Sequence, residues 1–165
     1  MKKLLITGGA GFIGSNLANF YSQQYQVFVI DDLSMGRVSN LQQTEQLVFI
    51  KGSVTDQQLL DEVLSKHSFE YIFHLAAVAS VASSVAQPLE THEVNFLSVL
   101  KILESIKKYQ KELKRFVFAS SAAVYGAEPT LPKRETSVIC PLSPNAIDKF
   151  AAERYVLNES HLHGV

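Results

Sequence analysis

The fold of this chain is decided by the stretch Thr7-Gly8-Gly9-Ala10-Gly11-Phe12-Ile13-Gly14 near its start. The stretch holds two overlapping glycine patterns, which share Gly11 and Gly14. Glycine permits a tight turn after a strand, close approach of the backbone to a pyrophosphate, and close packing of the next helix on the sheet. The N-terminus of that helix offers free N–H groups to phosphate oxygens. The stretch therefore predicts a dinucleotide-binding turn.

The flanking sequence supplies the context that this turn requires. An apolar run, Lys3–Thr7, precedes it, and apolar residues at helical spacing follow it over Phe12–Gln24. The next apolar run, Gln26–Ile30, ends at Asp31. A carboxylate at this point accepts hydrogen bonds from the adenosine ribose hydroxyls and repels a 2′-phosphate, so NAD is favoured over NADP. The alternative interpretation is a plain glycine turn with a helix-capping Asp.

Apolar runs and helical stripes alternate along the rest of the chain. Further strands are predicted over Leu47–Lys51, Tyr71–Leu75 and Arg115–Ala119. Further helices are predicted after an N-cap at Asp56, over Leu89–Lys108, and from about Ala146 to His161. This alternation predicts a single α/β domain over residues 1–165, with a Rossmann-type doubly wound parallel sheet and helices on both faces. Ligands then bind at the carboxyl ends of the strands, where the strand order reverses.

Composition and charge argue against several classes of partner. Hydrophobic residues make up 47% of the chain and charged residues 19%, as in ordinary globular domains. The formal net charge of −1 gives no electrostatic argument for nucleic acid or an anionic membrane, and no apolar run is long enough to span a bilayer. The single cysteine, Cys140, excludes an intrachain disulfide and suits a reducing compartment, so a cytoplasmic protein is expected. The five histidines lack ligand-like company, so no metal site is expected.

Several motifs follow one another along the whole chain. They are Thr7–Asn16, Asp31–Gly36, His74–Ala77, Pro88 with Asn95, Ser120–Gly126 and Ser143–Glu153. This ordered set resembles the extended short-chain dehydrogenase/reductase family, specifically its NAD-dependent sugar-nucleotide epimerases and dehydratases. The most similar branch is that of the UDP-glucose 4-epimerases. The resemblance covers essentially the whole chain and implies the fold that the alternation of elements predicts.

The resemblance implies a set of residues that hold NAD. They are Gly8, Gly11, Phe12, Ile13, Gly14, Asp31, Asp32, Ser34, Ser53, Val54, Leu75, Ala76, Ala77, Asn95 and Lys149. Phe12 and Ile13 are implied beside the pyrophosphate, and Asn95 is implied as the helix asparagine that supports the active site. Ser53 departs from the family, which often has an acid at this adenine contact. His74 is interpreted as a packed strand residue rather than a catalytic base.

The resemblance also implies a catalytic set with one replacement. The family uses a serine or threonine, a tyrosine, and a lysine four residues after the tyrosine. Ser121 and Lys149 occupy the serine and lysine positions, and Asn145 occupies the tyrosine position. An asparagine amide does not titrate in the useful range and cannot act as the base. General acid–base catalysis is worth about 10²–10⁴ in rate, so impaired or absent catalysis is expected.

Further expectations rest on the resemblance alone. Family members continue into a smaller C-terminal region that binds the sugar nucleotide, so this substrate region is expected to be missing here. The resemblance also implies a UDP-sugar substrate and a homodimer built on the helices that carry Asn95 and Lys149. Two alternatives to an impaired enzyme stay open: a non-catalytic NAD-binding regulatory module, and a degenerate gene fragment without function.

Overall fold

Strands and helices alternate along residues 1–164, the part of the chain that the computed structural model describes. The strands are β1 (Lys3–Thr7), β2 (Gln26–Asp31), β3 (Leu47–Lys51), β4 (Tyr71–His74) and β5 (Arg115–Phe118). The helices are α1 (Phe12–Tyr21), α2 (Gln57–Lys66), α3 (Val81–Ala86), α4 (Pro88–His92), α5 (Ser98–Tyr109) and α6 (Pro144–His163). A π turn, Glu93–Leu97, joins α4 to α5, and 3₁₀ turns cover Val38–Asn40 and Ala122–Tyr125.

The five strands form one parallel sheet in the order β3-β2-β1-β4-β5. The central strand β1 ends at Thr7, which lies opposite Ile30 of β2 and His74 of β4. The chain first winds outward from β1 through β2 to β3 and then crosses back to β4. The strand order therefore reverses between β1 and β4, where an open α/β sheet forms a ligand crevice. The predicted Rossmann-type sheet is confirmed.

Both faces of the sheet are covered by helices, which explains why its central strand is apolar throughout. Side chains alternate along β1, so Leu4 and Ile6 pack in one cluster with Ala18 of α1. Leu5 packs in the opposite cluster with α2 and α5. Helix α6 packs beside α5 and against β5, where its Ala152 belongs to a third cluster. Within residues 1–164, no helix is both long and apolar enough to cross a membrane.

The residues of helix α1 that are fully buried against the sheet are small, and its large Leu17 and Tyr21 are only partly buried there. Its buried residues are Gly14, Ser15 and Ala18. Ile13 and Phe20, part of the apolar spacing that predicts the helix, are 64% and 58% exposed. Small side chains let the helix axis lie close to the strands, and this holds the N-terminus of α1 against the end of β1.

The helix predicted over Leu89–Lys108 is interrupted in the structure. It begins at Pro88, which is tolerated in the first turn of a helix because its missing N–H has no intrahelical partner there. The π turn then inserts one extra residue before α5 and shifts the helical phase by about 100°. Asn95, within this turn, is 1% exposed. The π turn thus places a buried amide against the loop that follows β4.

Candidate functional site

The glycines of the turn after β1 differ in whether the fold has room for a side chain in their place. Gly8 has φ +69°, and a Cβ there would lie 2.7 Å from the backbone N of Ala76. A Cβ on Gly14 would lie 2.3 Å from the carbonyl oxygen of Gly8. A Cβ on Gly11 would meet only that same oxygen, at 3.4 Å, which is ordinary contact. The fold itself therefore requires Gly8 and Gly14, whereas it leaves room at Gly11.

The N-terminus of α1 is open toward this turn. Gly11 is its N-cap and contributes no side-chain hydrogen bond to the first turn of the helix. The side chain of Phe12 is 85% exposed and leaves the helix end uncovered. An uncapped helix start presents unpaired N–H groups and the positive end of the helix dipole, which together bind anions.

Asp31 joins the turn to the end of β2. One of its carboxylate oxygens accepts a hydrogen bond from the backbone N–H of Ala10 at 2.9 Å, and the other accepts from Leu33 at 2.8 Å. Asp31 is 9% exposed. A carboxylate has about four acceptor positions, so two remain after these bonds. Asp31 therefore fixes the shape of the site and keeps acceptor capacity for a ligand.

These elements enclose a cleft at the carboxyl edge of the sheet, next to the reversal in strand order. The predicted cofactor residues that line it are Gly8, Gly11, Asp31, Asp32, Ser34, Ser53, Val54, Leu75, Ala76 and Ala77. Of the other five, Phe12 and Ile13 stand exposed at the helix start, whereas Gly14, Asn95 and Lys149 are buried. The structure thus brings ten of the fifteen predicted residues to one cleft.

Sequence reasoning did not single out six residues that also line the cleft. They are Ile30, Met35, Gly36, Gly52, Val78 and Val94. Met35 and Gly36 belong to a motif that carries the family resemblance, so the signal for them was present. Val78 and Val94 have no comparable signal, because the loop after β4 and the π turn bring them to the cleft only in the folded chain.

The loop after β4 is held by two buried asparagines. The side chain of Asn95 accepts from the N–H of Val78 at 2.8 Å and donates to its carbonyl oxygen at 3.0 Å. Asn145, in the first turn of α6, donates its Nδ2 to the same carbonyl oxygen at 2.7 Å. Both asparagines are at most 4% exposed. Three hydrogen bonds therefore converge on one residue of the cleft wall.

Ser121 and Lys149 lie on the β5 side of the cleft. Ser121 caps the 3₁₀ turn after β5, and its Oγ accepts from the N–H of Ala123 at 3.1 Å. Lys149 is one turn after Asn145 on α6, and its Nζ donates to the carbonyl oxygen of Ala119 at 2.9 Å. That Nζ also lies 4.7 Å from the centre of the Phe118 ring. Burial lowers the pKa of Lys149 from 10.5 to about 8.

His74 is a packed residue at the end of β4, as predicted. It is 1% exposed, and its ring stacks on Phe116 and Phe118 of β5. Its Nδ1 lies 2.8 Å from the hydroxyl of Thr7. Burial, with a smaller contribution from the charge of Lys149, lowers the pKa of His74 to about 3. The ring is therefore neutral near pH 7. No group of three or more potential ligands among residues 1–164 could hold a metal ion.

Replacing Lys149 with methionine is expected to stabilise the protein free of ligands by about 1 kcal/mol at pH 7, because the burial cost of the ammonium exceeds its two contacts. The folded pKa of about 8 lies below the ordinary value of 10.5. The loss of stability caused by burying the charged ammonium therefore has its full size below pH 8. It shrinks as the pH rises from 8 toward 10.5, where the folded protein holds Lys149 neutral. Urea unfolding across this range measures the difference between variant and parent. The exposed Lys111→Met is the control, and a pH-independent difference at Lys149 would contradict the prediction.

A comparison with known families assigns this architecture. A family model described as GDP-mannose 4,6 dehydratase matches residues 5–165, nearly the whole chain. The chain belongs to this epimerase/dehydratase family. Solved structures of UDP-glucose 4-epimerases share this fold, with TM-scores of 0.91 and 0.88.

Three relatives illustrate the similarity. The UDP-glucose 4-epimerase of Halalkalibacterium halodurans is 36% identical over 152 residues, which are 92% of this chain and 44% of that protein. The UDP-glucose 4-epimerase of Thermotoga maritima, solved with UDP-glucose, is 37% identical with a TM-score of 0.91, over 99% of this chain and 52% of that one. The UDP-glucose 4-epimerase of Thermus thermophilus, solved with NAD, is 33% identical with a TM-score of 0.88, over 99% and 52%. The chain thus spans about half the length of these epimerase/dehydratase relatives.

Proposed function

We propose that this chain is the NAD-binding part of a sugar-nucleotide epimerase or dehydratase, most similar to UDP-glucose 4-epimerase. The observation that carries the proposal is the cleft at the reversal in strand order, bounded by the glycine turn, Asp31 and Leu75–Ala77. The relatives solved with NAD and with UDP-glucose support both ligand classes. Binding of a sugar nucleotide is part of the proposal, and this chain spans about half the length of the relatives solved with these ligands.

The residues of the cleft fit NAD. The space beside Gly11 and the uncapped start of α1 suit a pyrophosphate, since a close approach of backbone and unpaired N–H groups are both available. The remaining acceptor positions of Asp31 suit the adenosine ribose hydroxyls. Ser53 and Val54 line the adenine side, on the end of the cleft nearer β3. The other half of the cofactor then lies toward β4 and β5, beside Ser121 and Lys149.

The chemistry proposed for this site lacks a proton acceptor. NAD, when bound, supplies a hydride acceptor. Ser121 offers a hydroxyl that can stabilise charge on a sugar oxygen, and Lys149 offers an ammonium for ribose hydroxyls. Asn145 carries an amide that neither takes nor gives a proton near neutral pH. We therefore propose that cofactor binding persists while catalysis is impaired.

A second candidate is a non-catalytic NAD-binding module. It is favoured by the hydrogen bond between the amide of Asn145 and the carbonyl oxygen of Val78, which gives the asparagine a structural contact in place of a chemical one. The two candidates share the cofactor cleft and differ in whether a tyrosine at position 145 brings turnover. A degenerate fragment without function would differ from both, because it would bind no NAD.

A second copy of the chain is the proposed partner. One face of α6 exposes Ile147, Tyr155 and Leu162, which recur at helical spacing and are 45–60% exposed. An exposed apolar stripe of this kind suits burial against a matching stripe in a twofold dimer. Light scattering on the purified chain measures this association directly.

The exposed free thiol of Cys140 suits a reducing compartment, so a cytoplasmic location belongs to the proposal.

Calorimetric titration tests cofactor binding. The chain is expected to bind NAD saturably with one site, and Asp31→Ala is expected to weaken binding at least about tenfold, because the ribose loses a charged acceptor. The same variant loses the two backbone hydrogen bonds of Asp31, so its stability falls as well.

Asp56→Ala is the matched control for that loss of stability. Asp56 is the N-cap of α2 and also accepts two backbone hydrogen bonds, from Gln58 and Leu59. Its loss costs about 1 kcal/mol of stability. Since it does not line the cleft, NAD affinity should stay unchanged. Absence of NAD binding by the folded parent chain, or equal weakening in both variants, would overturn the proposal.

A further inference from the structure

The starting observation is that Asn145 links two separate parts of the molecule. It belongs to the first turn of α6, yet its Nδ2 donates to the carbonyl oxygen of Val78, in the loop after β4. No sequence-local constraint explains this contact, because the two residues lie 67 positions apart. Burial leaves Asn145 4% exposed, so the bond is shielded from competing water.

The carbonyl oxygen of Val78 accepts a second hydrogen bond besides the one from Asn145. Asn95 holds both the N–H and the carbonyl oxygen of this residue from the π turn. A single carbonyl oxygen has two acceptor positions, and here both are filled by amide donors. The loop is thereby fixed from two helical elements at once, the π turn and α6.

The residue that receives these bonds forms part of the cleft wall. Val78 lines the cleft together with Leu75, Ala76 and Ala77, on the β4 side. The adenine side, marked by Ser53 and Val54, lies across the sheet toward β3. A dinucleotide along this edge therefore places its second nucleotide beside the Val78 loop, whereas an adenine nucleotide alone stays on the other side.

We propose that Asn145 is a positioning residue, which fixes the wall of the cleft around the second nucleotide of the cofactor by its hydrogen bond to Val78. The proposal rests on the proposed NAD binding and gives position 145 a role in that binding. A phenol extends farther from Cα than a primary amide does. A tyrosine at this position therefore cannot place its hydroxyl where the Asn145 amide donates. The asparagine holds the Val78 loop, whereas a tyrosine would supply a group for proton transfer.

Asn145→Ala tests this role. Removing the amide is expected to weaken NAD binding about fivefold, in line with the loss of one neutral hydrogen bond in a preorganised site. Binding of ADP, which lacks the second nucleoside, should change less than about twofold because it does not reach the Val78 loop. Asn158→Ala is the matched control, since Asn158 is an exposed asparagine on the same helix. It should leave both affinities unchanged.

A measurement on the unaltered chain tests the contact without any variant. In a ¹⁵N-labelled sample, the side-chain NH₂ of Asn145 should exchange with solvent far more slowly than that of Asn158. This readout needs no cofactor, so it separates the contact from the proposed function. If the parent bound neither NAD nor ADP, the proposed function would fail and the positioning role with it, while slow exchange would still establish the contact.

The remaining outcomes are decisive for the positioning role. A selective loss of NAD affinity over ADP affinity, with slow exchange in the parent, supports it. Equal weakening of NAD and ADP shows a general structural role and overturns it, as does unchanged NAD affinity in a folded variant. Should Asn145→Ala fail to fold, Asn145→Asp replaces it, because the carboxylate keeps the size of the amide but cannot donate to Val78 when ionised. Fast exchange of the Asn145 amide in the parent also overturns the role.

Discussion

Gly14→Ala is expected to lower the free energy of unfolding by more than about 3 kcal/mol, the largest loss of stability expected from any of the substitutions proposed for this chain. The added Cβ would lie 2.3 Å from the carbonyl oxygen of Gly8 and 2.6 Å from the Cα of Gly9. Both are backbone atoms of the turn, so neither can rotate away. Relief requires moving α1 off the sheet, which opens the apolar cluster around Ala18. Urea unfolding followed by circular dichroism measures the loss.

Gly11→Ala is the matched control and should behave in the opposite manner. Gly11 has extended backbone angles, φ −77° and ψ −178°, that alanine adopts without strain. Its Cβ would meet only the Gly8 carbonyl oxygen, at 3.4 Å. Stability should therefore fall by at most about 1 kcal/mol. NAD affinity should still drop more than about tenfold, because the methyl group enters the space that suits the pyrophosphate. Similar stability losses in the two variants would contradict this division.

Asn145→Tyr is expected to raise the rate of sugar-nucleotide epimerisation by about 10²–10⁴ when this chain is fused to the C-terminal half of an epimerase relative. The change replaces an amide that cannot titrate with a phenol one helical turn from Lys149, whose ammonium favours the phenolate. The Thermotoga maritima enzyme can supply that C-terminal half, because this chain matches 52% of it at 37% identity. Interconversion of UDP-galactose and UDP-glucose by the two fusions, per mole of bound NAD, measures the effect.

Two controls give this comparison its meaning. Ser121→Ala in the tyrosine fusion should lower the rate again, since the serine hydroxyl then no longer stabilises the sugar oxygen. Normalising to bound NAD removes any loss of affinity that follows from breaking the contact between Asn145 and Val78. Equal turnover by the asparagine and tyrosine fusions would show that the site has another base. Two inactive fusions that retain NAD would favour the non-catalytic module.

Local sequence signals predicted most strands and helices and the position of the cleft. The strand bounds at Leu47–Lys51 and the N-cap at Asp56 agree with the structure, because a short run of β-branched and aromatic residues and a capping carboxylate both leave strong local patterns. The cleft followed from the glycine turn and Asp31 for the same reason. The burial of Gly14 and the exposure of Ile13 did not follow, because they depend on how closely α1 lies against the sheet.

Contacts between distant segments could not be predicted. No helix was predicted over Val81–Ala86, where the structure has one, and the π turn interrupts the region for which the sequence predicts one long helix. The hydrogen bond from Asn145 to Val78 joins segments 67 residues apart, and no local pattern encodes it. Asp31 also proved to bond the glycine turn itself, which its position at the end of a strand does not disclose.

The π turn changes the helical phase along the continuous helical segment that runs from Pro88 to Tyr109. Because one wider turn lies within this segment, its two ends are out of phase with each other. The π turn holds the Val78 loop through Asn95, whereas α5 packs with α2 in an apolar cluster on the sheet. Each interface can thus be packed in its own register.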